Sequence, residues 1–238
     1  MEKKTLGIIG GLGPMASARF LSLLTDITAA KVDQDHMEVL LYSRPQTPDR
    51  TAYLLGQSQE NPLPLLLDTA QRLIQMGAGV LAMPCMTAYG FGAALSEQIS
   101  VPLLHPIALT AQTLKENGVQ SAGILATDGS LRVGLFQQYL TKAGVQPILP
   151  TAELQAEIMA IIYEEVKAGK PVDLERFFSV AHAMRKLGAQ VLILGCTELS
   201  VIKQDQAIGK GFLDAMEVLA KAAVESCGYQ VRSDFSLL

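Results

Sequence analysis

Two cysteines occupy near-duplicate settings in this chain. One lies in Gly77-Ala78-Gly79-Val80-Leu81-Ala82-Met83-Pro84-Cys85-Met86-Thr87, the other in Gly188-Ala189-Gln190-Val191-Leu192-Ile193-Leu194-Gly195-Cys196-Thr197-Glu198. In each, a helical stretch stops at Gly-Ala, an apolar strand follows, and the strand runs out at a thiol. A free thiol ionises near a pKa of about 8.5, so a modest local push makes a thiolate. The hydroxyls of Thr87 and Thr197, close to each sulfur in sequence, are donors suited to that push. Two thiols facing one carbon suit general acid–base chemistry in which one group removes a proton and the other delivers one.

The elements that position these thiols follow an alternating pattern. Leu6–Ile9 reads as a short strand running into Gly10-Gly11-Leu12-Gly13-Pro14, with a helix from Met15 to about residue 30. A strand over Met37–Tyr42 leads to a polar loop carrying Pro45, Pro48 and Arg50. A helix over Pro64–Met76 precedes the Val80–Met83 strand. A short helix, a Val101–Leu104 strand and a helix over Ile107–Asn117 come next. The pattern then restarts with a strand at Ala122–Ala126, and Thr127-Asp128-Gly129 stands where the first glycine turn stood. One helix over Ser130–Ala143, a strand at Gln146–Leu149, helices over Glu153–Ala168 and Asp173–Leu187, the Val191–Leu194 strand and a last helix over Asp214–Ser226 complete it.

Nearly all-apolar strands alternating with helices imply parallel sheets covered on both faces. The repeat implies two similar Rossmann-like, flavodoxin-like α/β lobes: 1–105 and 106–211, with a helical segment 212–227 packing back on the first. In such sheets ligands bind beyond the carboxyl ends of the strands, where Gly11, Gly13, Cys85, Thr127 and Cys196 all fall.

Composition bounds the rest. The chain has 238 residues, 49% hydrophobic and 18% charged, enough for a sizeable core and unlike a disordered segment. A net charge of −4 gives no basic footprint for nucleic acid. Three cysteines do not form a disulfide framework, and Cys227, within the last helix, reads as a buried small hydrophobe. No signal peptide or membrane-spanning run is expected, so the reading is a soluble cytoplasmic protein.

No Cys-x-x-Cys occurs and the three histidines, His36, His105 and His182, are scattered, which argues against a metal. Pro14 and Met15 interrupt what would be a dinucleotide fingerprint; the Gly11–Gly13 turn reads better as backbone amides facing a carboxylate. Arg50 offers a fork for a carboxylate, with a solvated surface arginine or a partner for Asp49 as the plainer readings. Lys167 is either a helix-terminal charge or a second cation for substrate; nothing around it suggests a pyridoxal phosphate site.

Taken together, Gly10–Pro14, Pro48-Asp49-Arg50-Thr51, Met83-Pro84-Cys85, Tyr163–Gly169 and Gly195-Cys196-Thr197-Glu198 resemble the pyridoxal-phosphate-independent aspartate/glutamate racemase family, and within it the aspartate racemases, over nearly the whole chain. The resemblance implies two lobes with the site in the cleft between them and no cofactor. It implies that Cys85 and Cys196 transfer protons, that Arg50 and Lys167 hold substrate carboxylate, and that Thr127 lines the site. By analogy it also implies a homodimer and a small acidic amino acid as the partner. Two positions depart from the family pattern: Met86 stands where an asparagine is usual and Tyr89 where a histidine is usual. Met86 cannot supply the lost polar contacts. Two rival activities therefore stay open, a related two-cysteine isomerase or decarboxylase of a small diacid, and a homologue that binds an acidic metabolite without turning it over.

Overall fold

The computed structural model describes residues 2–238, which divide into two compact units. The first runs to His105 and takes up Met216–Leu237. Its elements are β1 (Thr5–Gly10), α1 (Pro14–Ile27), β2 (Val39–Ser43), α2 (Arg50–Leu54), α3 (Leu63–Gln75), β3 (Ala78–Ala82), a 3₁₀ turn Met86–Phe91 and α4 (Gly92–Ser96). The sheet is parallel, in the order β2-β1-β3. Where a strand over Val101–Leu104 is expected, the backbone makes a single parallel bridge, Leu81 to Leu103. Pro102 cannot donate to a ladder, so the pairing stays at one bridge.

The second unit, Pro106–Ala215, holds α5 (Pro106–Glu116), β4 (Ser121–Leu125), α6 (Asp128–Val133), α7 (Leu135–Ala143), β5 (Gln146–Ile148), α8 (Ala152–Ala160), a π turn Ile161–Val166, α9 (Leu174–Lys186), β6 (Val191–Leu194), α10 (Thr197–Asp205) and β7 (Phe212–Asp214). Its sheet is parallel in the order β5-β4-β6-β7. The helix expected over Ser130–Ala143 is two helices, because Gly134 adopts a left-handed conformation and ends α6. The segment from 212 opens with β7 in this sheet rather than with helix; only from Met216 does α11 (Ala215–Ser226) join the first unit.

The repeat seen in sequence has a steric cause. A Cβ on Gly7 would sit 2.6 Å from Leu81 Cδ2 and 2.8 Å from Ala78 Cβ; one on Gly123 would sit 2.6 Å from Leu192 Cδ2 and 3.0 Å from Ala189 Cβ. In both units a glycine on the first strand admits the third strand and the small residue at its start. The two Gly-Ala pairs therefore mark the same contact twice. Replacing Gly7 with alanine forces two rigid carbons together. Overpacking of about 1–3 kcal/mol exceeds the roughly 0.5–1 kcal/mol that alanine recovers in backbone entropy. The G7A variant is expected to unfold at lower urea concentration than wild type; an unchanged or raised midpoint would contradict the steric reading.

In the first unit Leu6 and Ile8 point to one face of the sheet, where Phe20 of α1 and Met216 and Leu219 of α11 close a core; Gly7 points to the other, toward Leu73 of α3. In the second, Leu125, Leu192 and Leu194 pack with Ile158, Phe177 and Met184. No helix among the described residues is long and apolar enough to cross a membrane.

Candidate active site

Strand register brings the candidate residues to matching places. In the first unit Ile8 pairs with Ala82, so Gly11 and Cys85 each lie three residues beyond a paired position. In the second, Leu125 pairs with Leu194, so Thr127 and Cys196 each lie two residues beyond. Both thiols thus sit just past the carboxyl end of the third strand of their unit. Both are buried, at 8% and 7% exposure, and neither forms a disulfide.

Cys85 precedes the Met86–Phe91 turn, and its carbonyl accepts the Ala88 amide at 3.1 Å. Met86 is 3% exposed, so the thioether is packed rather than solvated. Tyr89 anchors this turn: its hydroxyl donates to the Leu104 carbonyl at 2.7 Å and its ring lies 5.0 Å from that of His105. Burial raises the Tyr89 phenol well above its usual range and lowers the His105 pKa. At the position where the family resemblance expects a histidine, the side chain is a neutral brace.

Cys196 has a richer setting. It precedes α10, whose first turn carries Glu198. Cys196 Sγ donates to Glu198 Oε2 at 2.8 Å, and the Thr197 hydroxyl donates to the same oxygen at 3.2 Å. Thr197 therefore serves the carboxylate. Lys167 Nζ lies 4.0 Å from Glu198 Oε1 and 4.0 Å from the centre of the Tyr163 ring. Burial is the main cause raising the Cys196 pKa, and the charge of Glu198 adds to it; the Glu198 amide and Lys167 pull the other way and lose. Burial works to lower the Lys167 pKa, but Glu198, with Tyr163 and Cys196, outweighs it and the net shift is upward. The raised pKa favours the neutral thiol of Cys196, with Glu198 and Lys167 beside it. Ser200 donates to the buried Asp214 at 2.6 Å, tying α10 to the end of β7.

The Glu198 carboxylate is a functional candidate that the repeat in the sequence does not mark. The signal was an acidic residue two positions after the second repeated cysteine, where the first copy has Thr87.

Other expected site residues are placed differently from a simple ligand-facing picture. The Gly11 amide donates to Ser17 Oγ at 2.9 Å and so does not face an anion; with φ of +86° and Arg44 backbone nitrogen 2.3 Å from any added Cβ, this position admits only glycine. Gly13 precedes α1, and its carbonyl accepts from the Ser17 hydroxyl at 3.0 Å; a Cβ there would meet nothing within 4 Å. Thr127 caps α6, its hydroxyl oxygen accepting the Ser130 amide at 3.2 Å.

Arg50 is half-buried rather than a free surface side chain, and is not paired with Asp49, whose carboxylate caps α2 through the Ala52 amide. Its guanidinium donates to the carbonyls of Thr47 (3.1 Å), Pro48 (2.9 Å) and Leu12 (2.8 Å). Three of its five N–H groups are thus engaged, and Nε is buried with no partner among the described residues. Among the described residues no three His, Cys, Asp or Glu side chains gather in a metal-holding group.

A sequence model described as Asp/Glu/hydantoin racemase matches residues 9–223. The chain is 23% identical over 227 residues to the broad specificity amino-acid racemase RacX of Bacillus subtilis (strain 168), covering 93% of this chain and 97% of that one. Its fold superposes on the aspartate racemase of Picrophilus torridus with a TM-score of 0.84 at 28% identity, covering 97% of each chain. The glutamate racemase of Francisella tularensis, in complex with D-glutamate, shares the fold at a TM-score of 0.62 and 16% identity, covering 95% of this chain and 81% of that one.

Proposed function

Because the chain belongs to the Asp/Glu/hydantoin racemase family, we propose that it interconverts L- and D-aspartate without a cofactor, with Cys85 and Cys196 as the two proton-transfer residues. The observation that carries this reading is the equivalent placement of the two buried thiols, each just past the third strand of its unit. One thiolate takes the α-proton while the other thiol delivers a proton to the opposite face of the same carbon; exchanging their roles runs the reaction backwards. Cys196, held as a thiol beside Glu198, is the acid at rest.

Arg50 supports an acidic substrate. Its unpartnered Nε–H lacks an acceptor that a side-chain carboxylate supplies, and the three carbonyls already hold the guanidinium in place. Lys167 is the second cation for substrate. The α-proton of an amino acid is very weakly acidic, so the carbanion-like state needs fixed donors and exclusion of water.

A second reading, a wider range of amino acids, is favoured by Met86. Its buried thioether beside Cys85 offers apolar contact where a polar head-group contact is expected, and the relative RacX is described as having broad specificity.

The experiment is α-proton exchange in deuterated water, followed by NMR, for aspartate, glutamate and neutral amino acids with no cofactor added. Aspartate is expected to gain deuterium in the product enantiomer before the recovered substrate is labelled. Comparable rates for neutral amino acids select the second reading, and no exchange with any amino acid rejects both.

A further inference from the structure

Lys167 is aimed by an irregularity in the backbone. Its amide donates to the Ile162 carbonyl at 3.0 Å, five residues back, closing the π turn Ile161–Val166 that continues α8. In an uninterrupted α-helix the same amide would reach Tyr163, and each residue past that point would be turned by about 100° around the axis. The extra residue is therefore what carries Lys167 round to Glu198 and onto the Tyr163 ring. Such turns are rare and need something to hold them.

The holder is Glu165, within the turn. Its side chain is 11% exposed, and a carboxylate buried that far must be paired. One oxygen accepts Arg176 Nη1 at 2.9 Å, the other the Asp173 amide at 2.9 Å. Arg176, on α9, also reaches Glu157 of α8 at 3.1 Å, so one guanidinium ties together the helix before the turn, the turn itself and the helix after it. Asp173 in turn caps α9 by accepting the Arg176 amide at 3.0 Å. The Glu165 carboxylate thus fastens the turn to the start of α9, and Arg176 ties both to Glu157 before the turn.

We propose that Glu165, clamped by Arg176 and the Asp173 amide, is a positioning residue that holds the π turn and so keeps the Lys167 ammonium beside Glu198 and Cys196. The proposal rests on the substrate role given to Lys167 above, and it makes a claim about geometry that survives without that role. Glu165 touches no reacting atom; it acts only through Lys167.

A double-mutant cycle tests it. Glu165→Gln keeps an acceptor for the Asp173 amide and removes the charge that holds Arg176. It is expected to raise KM for aspartate about tenfold with kcat changed less than about threefold, the mark of lost binding rather than lost chemistry. In a Lys167→Met background the same substitution is expected to change KM less than about twofold, because the residue it acts through is gone. Equal penalties in both backgrounds overturn the proposal and leave Glu165 a purely structural residue.

The second readout needs no turnover. The pH titration of the Cys196 thiolate, taken as the ultraviolet difference between each variant and its Cys196→Ser partner, is expected to move upward in E165Q, since a cation has left the sulfur's neighbourhood. It is not expected to move when K167M is already present. A titration unchanged by E165Q alone overturns the proposal even if the chain proves not to racemise aspartate. Should E165Q fail to fold by circular dichroism, Arg176→Gln, which leaves the Asp173 amide bond to Glu165 intact, carries the same cycle with the same expected outcomes.

Discussion

Cys85→Ala and Cys196→Ala are each expected to slow racemisation at least about a thousandfold, the scale of a positioned acid or base in a proton transfer. Both sulfurs are small and nearly buried, so alanine removes one atom from a packed setting and leaves the strand ends in place. The informative result is what survives. In deuterated water, each variant keeps one thiol able to exchange the α-proton on its own side. C85A is therefore expected to exchange one enantiomer of aspartate slowly, and C196A the other. If both variants exchange the same enantiomer, the thiols do not serve opposite faces of the carbon and the two-base reading fails. If either variant keeps more than about a tenth of the wild-type rate, the missing thiol is not a proton-transfer residue.

Glu198→Gln is the other substitution with a large expected effect. Glutamine preserves the shape of the side chain and its bond to the Thr197 hydroxyl, but removes the charge that accepts the Cys196 proton. Without that carboxylate the Cys196 proton loses its resident acceptor during turnover. The expected fall in kcat/KM is about a hundredfold, at the lower end of what a single proton-transfer group contributes. L- and D-aspartate have equal free energies, so the fall must be the same in both directions.

The pH behaviour carries a definite sign. Burial and then the negative charge of Glu198 hold the Cys196 pKa up. With the charge gone, burial remains and Lys167 is unopposed, so the thiol must titrate at lower pH than in wild type. Thiolate absorbance against pH reads this directly. A titration that stays put or moves upward, or a kcat/KM within about threefold of wild type, would remove Glu198 from the mechanism.

Much of this architecture is legible in the sequence because parallel strands covered on both faces must be apolar throughout. Val191–Leu194 is such a run, and its limits in the structure are those read from the residues. Cys85 and Cys196 are conspicuous because each follows a copy of the same Gly-Ala strand, and the contacts of Gly7 and Gly123 show the same close packing in both halves. The duplication does not mark Glu198, because the halves differ there: Thr87 stands at the matching place in the first.

Other misses have their own causes. The apolar residues of 153–168 keep a helical spacing through the π turn, so one extra residue leaves no trace in the pattern. β7 is three residues long and follows two left-handed glycines, Gly209 and Gly211, too short a run to announce a strand. The backbone carbonyls that hold Arg50 come from Leu12 and from Thr47 and Pro48; the first is distant in sequence, and no side-chain pattern encodes a carbonyl.

The return of the chain to the first unit at Met216 has a consequence for synthesis. The second unit is a continuous stretch, Pro106–Ala215, and has all its strands once residue 215 has left the ribosome. The first unit has made its three strands by residue 82, yet Leu6 and Ile8 wait for Met216 and Leu219 to cover them, and the amide of Lys4 waits for the carbonyl of Cys227. Translation proceeds at about 5–20 residues per second, so the face that α1 covers only in part waits roughly 7–27 seconds for α11 while the half made second completes itself. The half made first is thus the last to receive its full complement of contacts.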